Sequence, residues 1–142
     1  MLIKHTKTIL YVDIDAIFYD TPLLAHNFSH DVAVFYKTNG DLLSGTLIFG
    51  NTVGAHLVVD EWIKAQLDTP KQWDQTVLKR VINELKSSID LINLPPEYIK
   101  IFDQKVHDTN IIIEHYQASR KYKILSFDHI NATNCSTGFS CS

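Results

Sequence analysis

The apolar positions form short runs near both ends of the chain and fall at helical spacing between them. Residues 8–13, "TILYVD", read as a buried strand: a short run, partly β-branched and aromatic, stopped by a charge. Residues 31–37, "DVAVFYK", predict a second strand, and "TNGD" after it is turn chemistry. Residues 42–50, "LLSGTLIFG", predict a third strand with Gly45 inside it. A glycine there marks a bulge or a place where another group approaches the backbone closely.

Helical spacing follows. Thr52 is a candidate cap for a helix whose Val58, Val59, Trp62, Ile63 and Leu67 share one face. Residues 69–72, "TPKQ", read as a capping box with Pro70 at the first helical position. The helix after it carries Val77, Leu78, Val81, Ile82 and Leu85 at steps of three and four. "LINLPPEY" is a short extended piece ended by Pro95 and Pro96. "NIIIEHY" is a further strand, which residues 123–127 extend. Strands at both ends with two helices between them predict one mixed α/β domain over residues 1–127. Residues 128–142 are small and polar and are expected to form a mobile tail.

Composition narrows the classes. The 142 residues are 45% hydrophobic and 20% charged, enough for an ordinary core. A net charge of −3 offers no basic field for nucleic acid. No apolar run approaches the roughly 20 residues that span a bilayer, and the first ten residues do not read as a signal peptide. A soluble, cytoplasmic protein is expected. Cys135 and Cys141 both lie in the last eight residues, so a disulfide would staple only the tail. The sequons at Asn27, Asn131 and Asn134 then carry no weight.

The candidate chemistry starts at Asp13 and Asp15. In a strand, residues two apart point the same way, and two like charges side by side need a cation, donors or solvent. Mg²⁺ or Mn²⁺ with phosphate oxygens completing its shell is the usual resolution. Three enzyme types place such a pair after a strand. Haloacid-dehalogenase-type phosphatases use the first Asp as a nucleophile, but their motif has Thr or Val where this chain has Ile17. Lesion-bypass DNA polymerases carry a similar metal segment on a longer, basic chain. GT-A-fold glycosyltransferases use a DxD motif to hold the metal on a sugar nucleotide's diphosphate.

Four downstream segments bear on the choice. "YDTPLL" resembles the way GT-A transferases leave the DxD motif, and "LLSGTLIFGNT" resembles the strand that lines their donor sugar. "WIKAQLDTPKQWDQTVLKRVI" resembles their helix segment with W and DQ, and "IIIEHYQASRKYK" resembles the closing H-x-x-G-x-x-K motif of the retaining, glycogenin-like group. That motif's glycine is Ala118 here. The resemblance runs from Val12 to Lys121.

The resemblance implies a truncated GT-A-like α/β fold, a mixed sheet flanked by helices. The family's nucleoside-binding half precedes the DxD motif, and only twelve residues precede Asp13 here. It implies a metal-dependent glycosyltransferase that moves a sugar from a nucleotide-diphosphate donor, UDP-sugar foremost, to an unknown acceptor. Asp13, Asp15 and His115 would hold Mn²⁺ or Mg²⁺. Lys121, with Arg120 beside it, would contact the diphosphate as the leaving group. Asp74 and Gln75 would lie near the transferred sugar, and Ser44, Gly45 and Thr46 would line the donor. A partner chain or a second copy would supply the missing half. The alternatives are a non-catalytic binding or assembly module derived from such an enzyme, or a dehalogenase-type phosphatase.

Overall fold

The structure is a computed structural model that describes residues 7–103 and 110–116. Among these residues, seven strands and two helices follow in the order β1 (Ile9–Val12), β2 (Ala16–Phe18), β3 (Val32–Tyr36), β4 (Leu42–Phe49), α1 (Val53–Asp68), α2 (Asp74–Leu85), β5 (Leu91–Asn93), β6 (Lys100–Ile101) and β7 (Ile113–His115). Single 3₁₀ turns occupy Leu23–Ala25 and Pro96–Tyr98. This is the mixed α/β arrangement expected from the apolar pattern. Residues 117–142, with Ala118, Arg120, Lys121, both cysteines, the sheet extension at 123–127 and the tail, lie outside the described residues, as do 1–6 and 104–109.

The main sheet has the order β1-β4-β3-β5. Strand β4 pairs antiparallel with β1, from Ile9 opposite Phe49 to Val12 opposite Thr46. It also pairs antiparallel with β3, and β5 lies parallel to β3 with Val32 opposite Leu91. A smaller sheet has the order β2-β7-β6, antiparallel between β2 and β7 and parallel between β7 and β6.

The period-two alternation of the central strands sorts the core into two layers. Val32, Val34, Leu47 and Phe49 face one side, where they pack with Ala55 and Val58 of α1 and Leu78 and Ile82 of α2. Ala33 and Ile48 face the other side, with Phe28, Leu94, Tyr98 and Ile113. The helices thus cover one face of the main sheet, and the small sheet with its flanking turns covers the other. Val77, Leu78, Val81 and Ile82 are all buried, as the spacing of α2 requires.

Helix α1 begins as expected. Thr52 is its N-cap, and the hydroxyl accepts a hydrogen bond from the Ala55 amide at 3.1 Å. Its apolar face is narrower than the sequence implies, because Ile63 and Leu67 are exposed.

Two local expectations are corrected. Thr69 does not open α2; it closes α1, its hydroxyl donating to the Ala65 carbonyl at 2.7 Å. Pro70 serves equally well as the residue that stops a helix. Helix α2 starts at Asp74, with Trp73 at the cap position and no capping side chain. The second correction concerns Asp13 and Asp15. They do not lie in a strand; β1 ends at Val12, and the chain turns so that the Ala16 amide donates to the Asp13 carbonyl at 3.2 Å.

Candidate functional site

Three chain segments converge beyond the end of β1. The Asp13 amide donates to the Gly45 carbonyl at 2.9 Å, so pairing with β4 continues one residue past the strand. The turn then delivers Ala16 opposite His115 in the β2–β7 pair. The Tyr116 amide donates to the Asp15 carbonyl at 3.1 Å, which ties the turn to the far end of β7. Register alone therefore brings Asp15 beside His115, exactly one hundred positions apart in sequence though adjacent in space.

The result is a compact donor set. Asp13, Asp15 and His115 each offer a ligand atom, and these atoms lie within 4.8 Å of one another. Two carboxylates and an imidazole form a donor set suited to a divalent ion that also takes phosphate oxygens. The carboxylates are at or near the surface, while His115 is only 4% exposed. The group therefore has one anchored member and two that meet solvent.

Gly45 makes this approach possible. A Cβ at that position would lie 3.1 Å from His115 Cε1, 3.2 Å from His115 Nδ1 and 3.3 Å from Asp13 Oδ2. The glycine sits in an irregular stretch of β4, where the β3 register jumps between Ala33 opposite Ile48 and Phe35 opposite Leu43. Both expectations for a glycine inside this strand, a bulge and a close approach, describe the structure.

Burial strains the charges here. It pushes the Asp13 carboxyl above its ordinary value, an effect that Asp15 and Asp74 reinforce and that the Tyr11 hydroxyl and His115 oppose. The Tyr11 hydroxyl donates to Asp13 Oδ1 at 3.0 Å. Burial first, and Asp13 next, push the Tyr11 phenol up to about 12. Burial also pushes His115 down, against the pull of Asp13 and Asp15. A bound cation would favour the ionised form of Asp13, and the neutral imidazole that burial favours at His115 is the form that ligates a metal.

The remaining candidates divide. The Gln75 side-chain oxygen accepts from the Ser44 amide at 3.4 Å, so the start of α2 is tied to β4 next to Gly45. Asp74 is exposed at the first position of α2 and acts electrostatically on both Asp13 and Tyr11. Its backbone carbonyl accepts from the Trp62 indole at 3.3 Å. A cavity of about 310 Å³ beside it is lined by Trp62, Ile63, Gln66, Leu67 and Asp74. Thr46 is fully buried, and its hydroxyl meets the Tyr98 carbonyl and His115. The structure brings Asp13, Asp15, Ser44, Gly45, Thr46, Asp74, Gln75 and His115 to one end of the main sheet.

Sequence reasoning missed Tyr11 and Tyr98. Tyr11 was legible, because a residue two before Asp13 at a strand end lies on its side of the chain. The Tyr98 carbonyl was not, since nothing in a side-chain pattern announces a backbone acceptor.

Similarity to solved structures is confined to shape. An active-site mutant of LgtC matches with a TM-score of 0.51 at 9% identity, over 84% of this chain and 61% of that one. The fold is GT-A-like. A second structure, the galactosyltransferase LgtC in complex with donor and acceptor sugar analogues, matches with a TM-score of 0.47 at 12% identity, over 78% of this chain and 52% of that one. The GT-A-like chain thus spans less than two thirds of the length of either LgtC chain. No protein-family model and no curated protein matches the sequence. Among the described residues of this GT-A-like chain, no helix is long and apolar enough to cross a membrane.

Proposed function

We propose that this chain carries the metal and diphosphate site of a glycosyltransferase, which moves a sugar from a nucleotide-diphosphate donor to an acceptor. The observation that carries the reading is the convergence of Asp13, Asp15 and His115 within 4.8 Å at the end of a GT-A-like sheet. Mn²⁺ or Mg²⁺ held there would supply Lewis-acid charge and a template for the diphosphate.

The chain's own residues have distinct tasks in this proposal. Asp13 and Asp15 supply the two anionic donors from the surface turn. His115 supplies a neutral donor from the interior, which keeps the site's total charge low enough to admit a diphosphate. Gly45 leaves its Cα bare, so backbone rather than side chain lines the site at that point. Ser44 and Gly45 line the donor sugar. Asp74 and Gln75 stand at the sugar and acceptor side. Arg120 and Lys121 meet the diphosphate as negative charge develops on the leaving group. Retention of anomeric configuration is proposed from the resemblance to the glycogenin-like group.

UDP-sugar is the donor proposed. The elements that hold the base are assigned to a second copy or a partner chain. Among the described residues, strand β1 is one edge of the main sheet, and a sheet edge can accept an added strand.

The test is calorimetric titration of the full chain with Mn²⁺ and then with UDP. Expected are Mn²⁺ binding that Asp13→Asn and His115→Ala abolish, and UDP binding that requires the metal. Absence of Mn²⁺ binding would overturn the proposal. Mn²⁺ binding without UDP binding would point instead to a non-catalytic module. Phosphoryl transfer to Asp13 would favour the phosphatase alternative, which the grouping of His115 with both carboxylates disfavours.

A further inference from the structure

Thr46 is fully buried and in hydrogen-bond contact with the imidazole of His115. Its hydroxyl oxygen is 2.8 Å from His115 Nε2 and 2.9 Å from the Tyr98 carbonyl oxygen. A hydroxyl has one proton to donate and two lone pairs to accept with. A carbonyl oxygen accepts only, so the proton of Thr46 is directed to Tyr98.

The contact with Nε2 must then be filled from the other side: Nε2 carries the proton and donates to Thr46. A neutral imidazole has one N–H. Nδ1 is therefore left with its lone pair. Nδ1 is also the nitrogen that flanks Gly45, 3.2 Å from the position of an added Cβ, with Asp13 Oδ2 at 3.3 Å from the same point.

We infer that Thr46 is a positioning residue: relayed from the Tyr98 carbonyl, its hydroxyl holds His115 in the Nε2–H tautomer and presents the Nδ1 lone pair to the cation bound by Asp13 and Asp15. The inference rests on the metal reading proposed above, and adds to it the donor atom and the residue that selects it. A ligating histidine whose second nitrogen is held by hydrogen bonding is a general device, and its loss costs about 10–100-fold in metal affinity. Here the device is buried, so water cannot replace the lost acceptor.

The experiment has two arms. Two-bond ¹H–¹⁵N correlation spectra of the histidine-labelled, metal-free full chain at a pH where His115 is neutral report which nitrogen carries the proton. Expected is Nε2–H in the wild type and in Thr46→Ser, and a mixture of tautomers in Thr46→Val, which keeps the shape but loses the hydroxyl. Calorimetry with Mn²⁺ is expected to show about a 10–100-fold weaker site in Thr46→Val and near-wild-type affinity in Thr46→Ser.

An Nδ1–H tautomer in the wild type overturns the inference, and this readout does not depend on any variant folding. Undiminished Mn²⁺ affinity in Thr46→Val overturns it as well. Both results would leave the metal reading intact. Failure of the wild type to bind Mn²⁺ would instead remove that reading, and the inference with it.

Discussion

Gly45 and His115 are packed so closely that a methyl group on the glycine would stand 3.1 Å from the imidazole Cε1. The same methyl would stand 3.3 Å from Asp13 Oδ2, so one hydrogen atom separates β4 from two members of the donor set. Gly45→Ala should therefore act on the site more than on the fold. His115 is buried and held at Thr46, so the strain falls on the spacing between its ring and Asp13. An affinity loss of about 10-fold for Mn²⁺ is expected, of the size that displaced supporting groups cause, with the thermal midpoint little changed. Calorimetry and a melting curve together check this; an unchanged Mn²⁺ affinity would count against it.

The Lys100–Glu114 pair makes a different prediction. Lys100 Nζ donates to Glu114 Oε1 at 2.7 Å, across paired positions of β6 and β7, and Glu114 is 7% exposed. That bond, ahead of the others, holds the Glu114 carboxyl below the usual range, against burial. Lys100→Met strands a buried charge and should destabilise by about 3 kcal/mol. Adding Glu114→Gln should recover part of the loss, because it removes that charge. Urea unfolding of the two variants decides the matter, and a double variant no more stable than Lys100→Met would refute the account.

Alkaline pH probes the tyrosines. Tyr11 is pushed up to about 12 by burial and Asp13. Tyr36 is raised by burial, and Tyr19 by its hydrogen bonds to Tyr116 and Glu114. A raised folded-state value means that folding favours the neutral phenol. The associated stability is complete below the unfolded value of about 10 and is lost as pH rises through the folded value. Phenolate absorbance should thus show part of the six tyrosines titrating late in the native chain and all of them together in urea. Tyr11→Phe should remove one late step. A single native transition at the ordinary tyrosine value would contradict this.

Gly54 tests the seating of α1. A Cβ there would overlap the Asp31 carboxylate, whose Oδ2 accepts from the Asp90 amide at 2.7 Å. The carboxylate rests against the first turn of the helix, where the dipole favours negative charge. Gly54→Ala must displace it and should cost about 1–3 kcal/mol, as overpacking does. A melting curve measures the loss, and a variant as stable as the parent would show that Asp31 can move freely.

Much of the architecture was legible because it depends on local periodicity. The runs that became β1, β3, β4 and β7, the cap at Thr52 and the buried stripe of α2 all follow from spacing and residue type. The short strands β2 and β6 were not legible: at three and two residues they exist only by pairing with β7. The start of α2 was misread because Thr-Pro stops one helix as well as it starts another. The turn at Asp13 was misread because the hydrophobic run before it does not say where pairing ends.

By itself the sequence determined the class of fold, the DxD pair, and a glycine in β4 that required either a bulge or a close neighbour. Those features reside in single segments, and local chemistry is enough to read them. Only the tertiary structure decided that His115 joins the two carboxylates, and that the Thr46 hydroxyl hydrogen-bonds its ring. That depends on the registers of β1 with β4 and of β2 with β7, which join residues far apart in the chain. Long-range register is chosen by burial of whole faces at once, so no single segment encodes it.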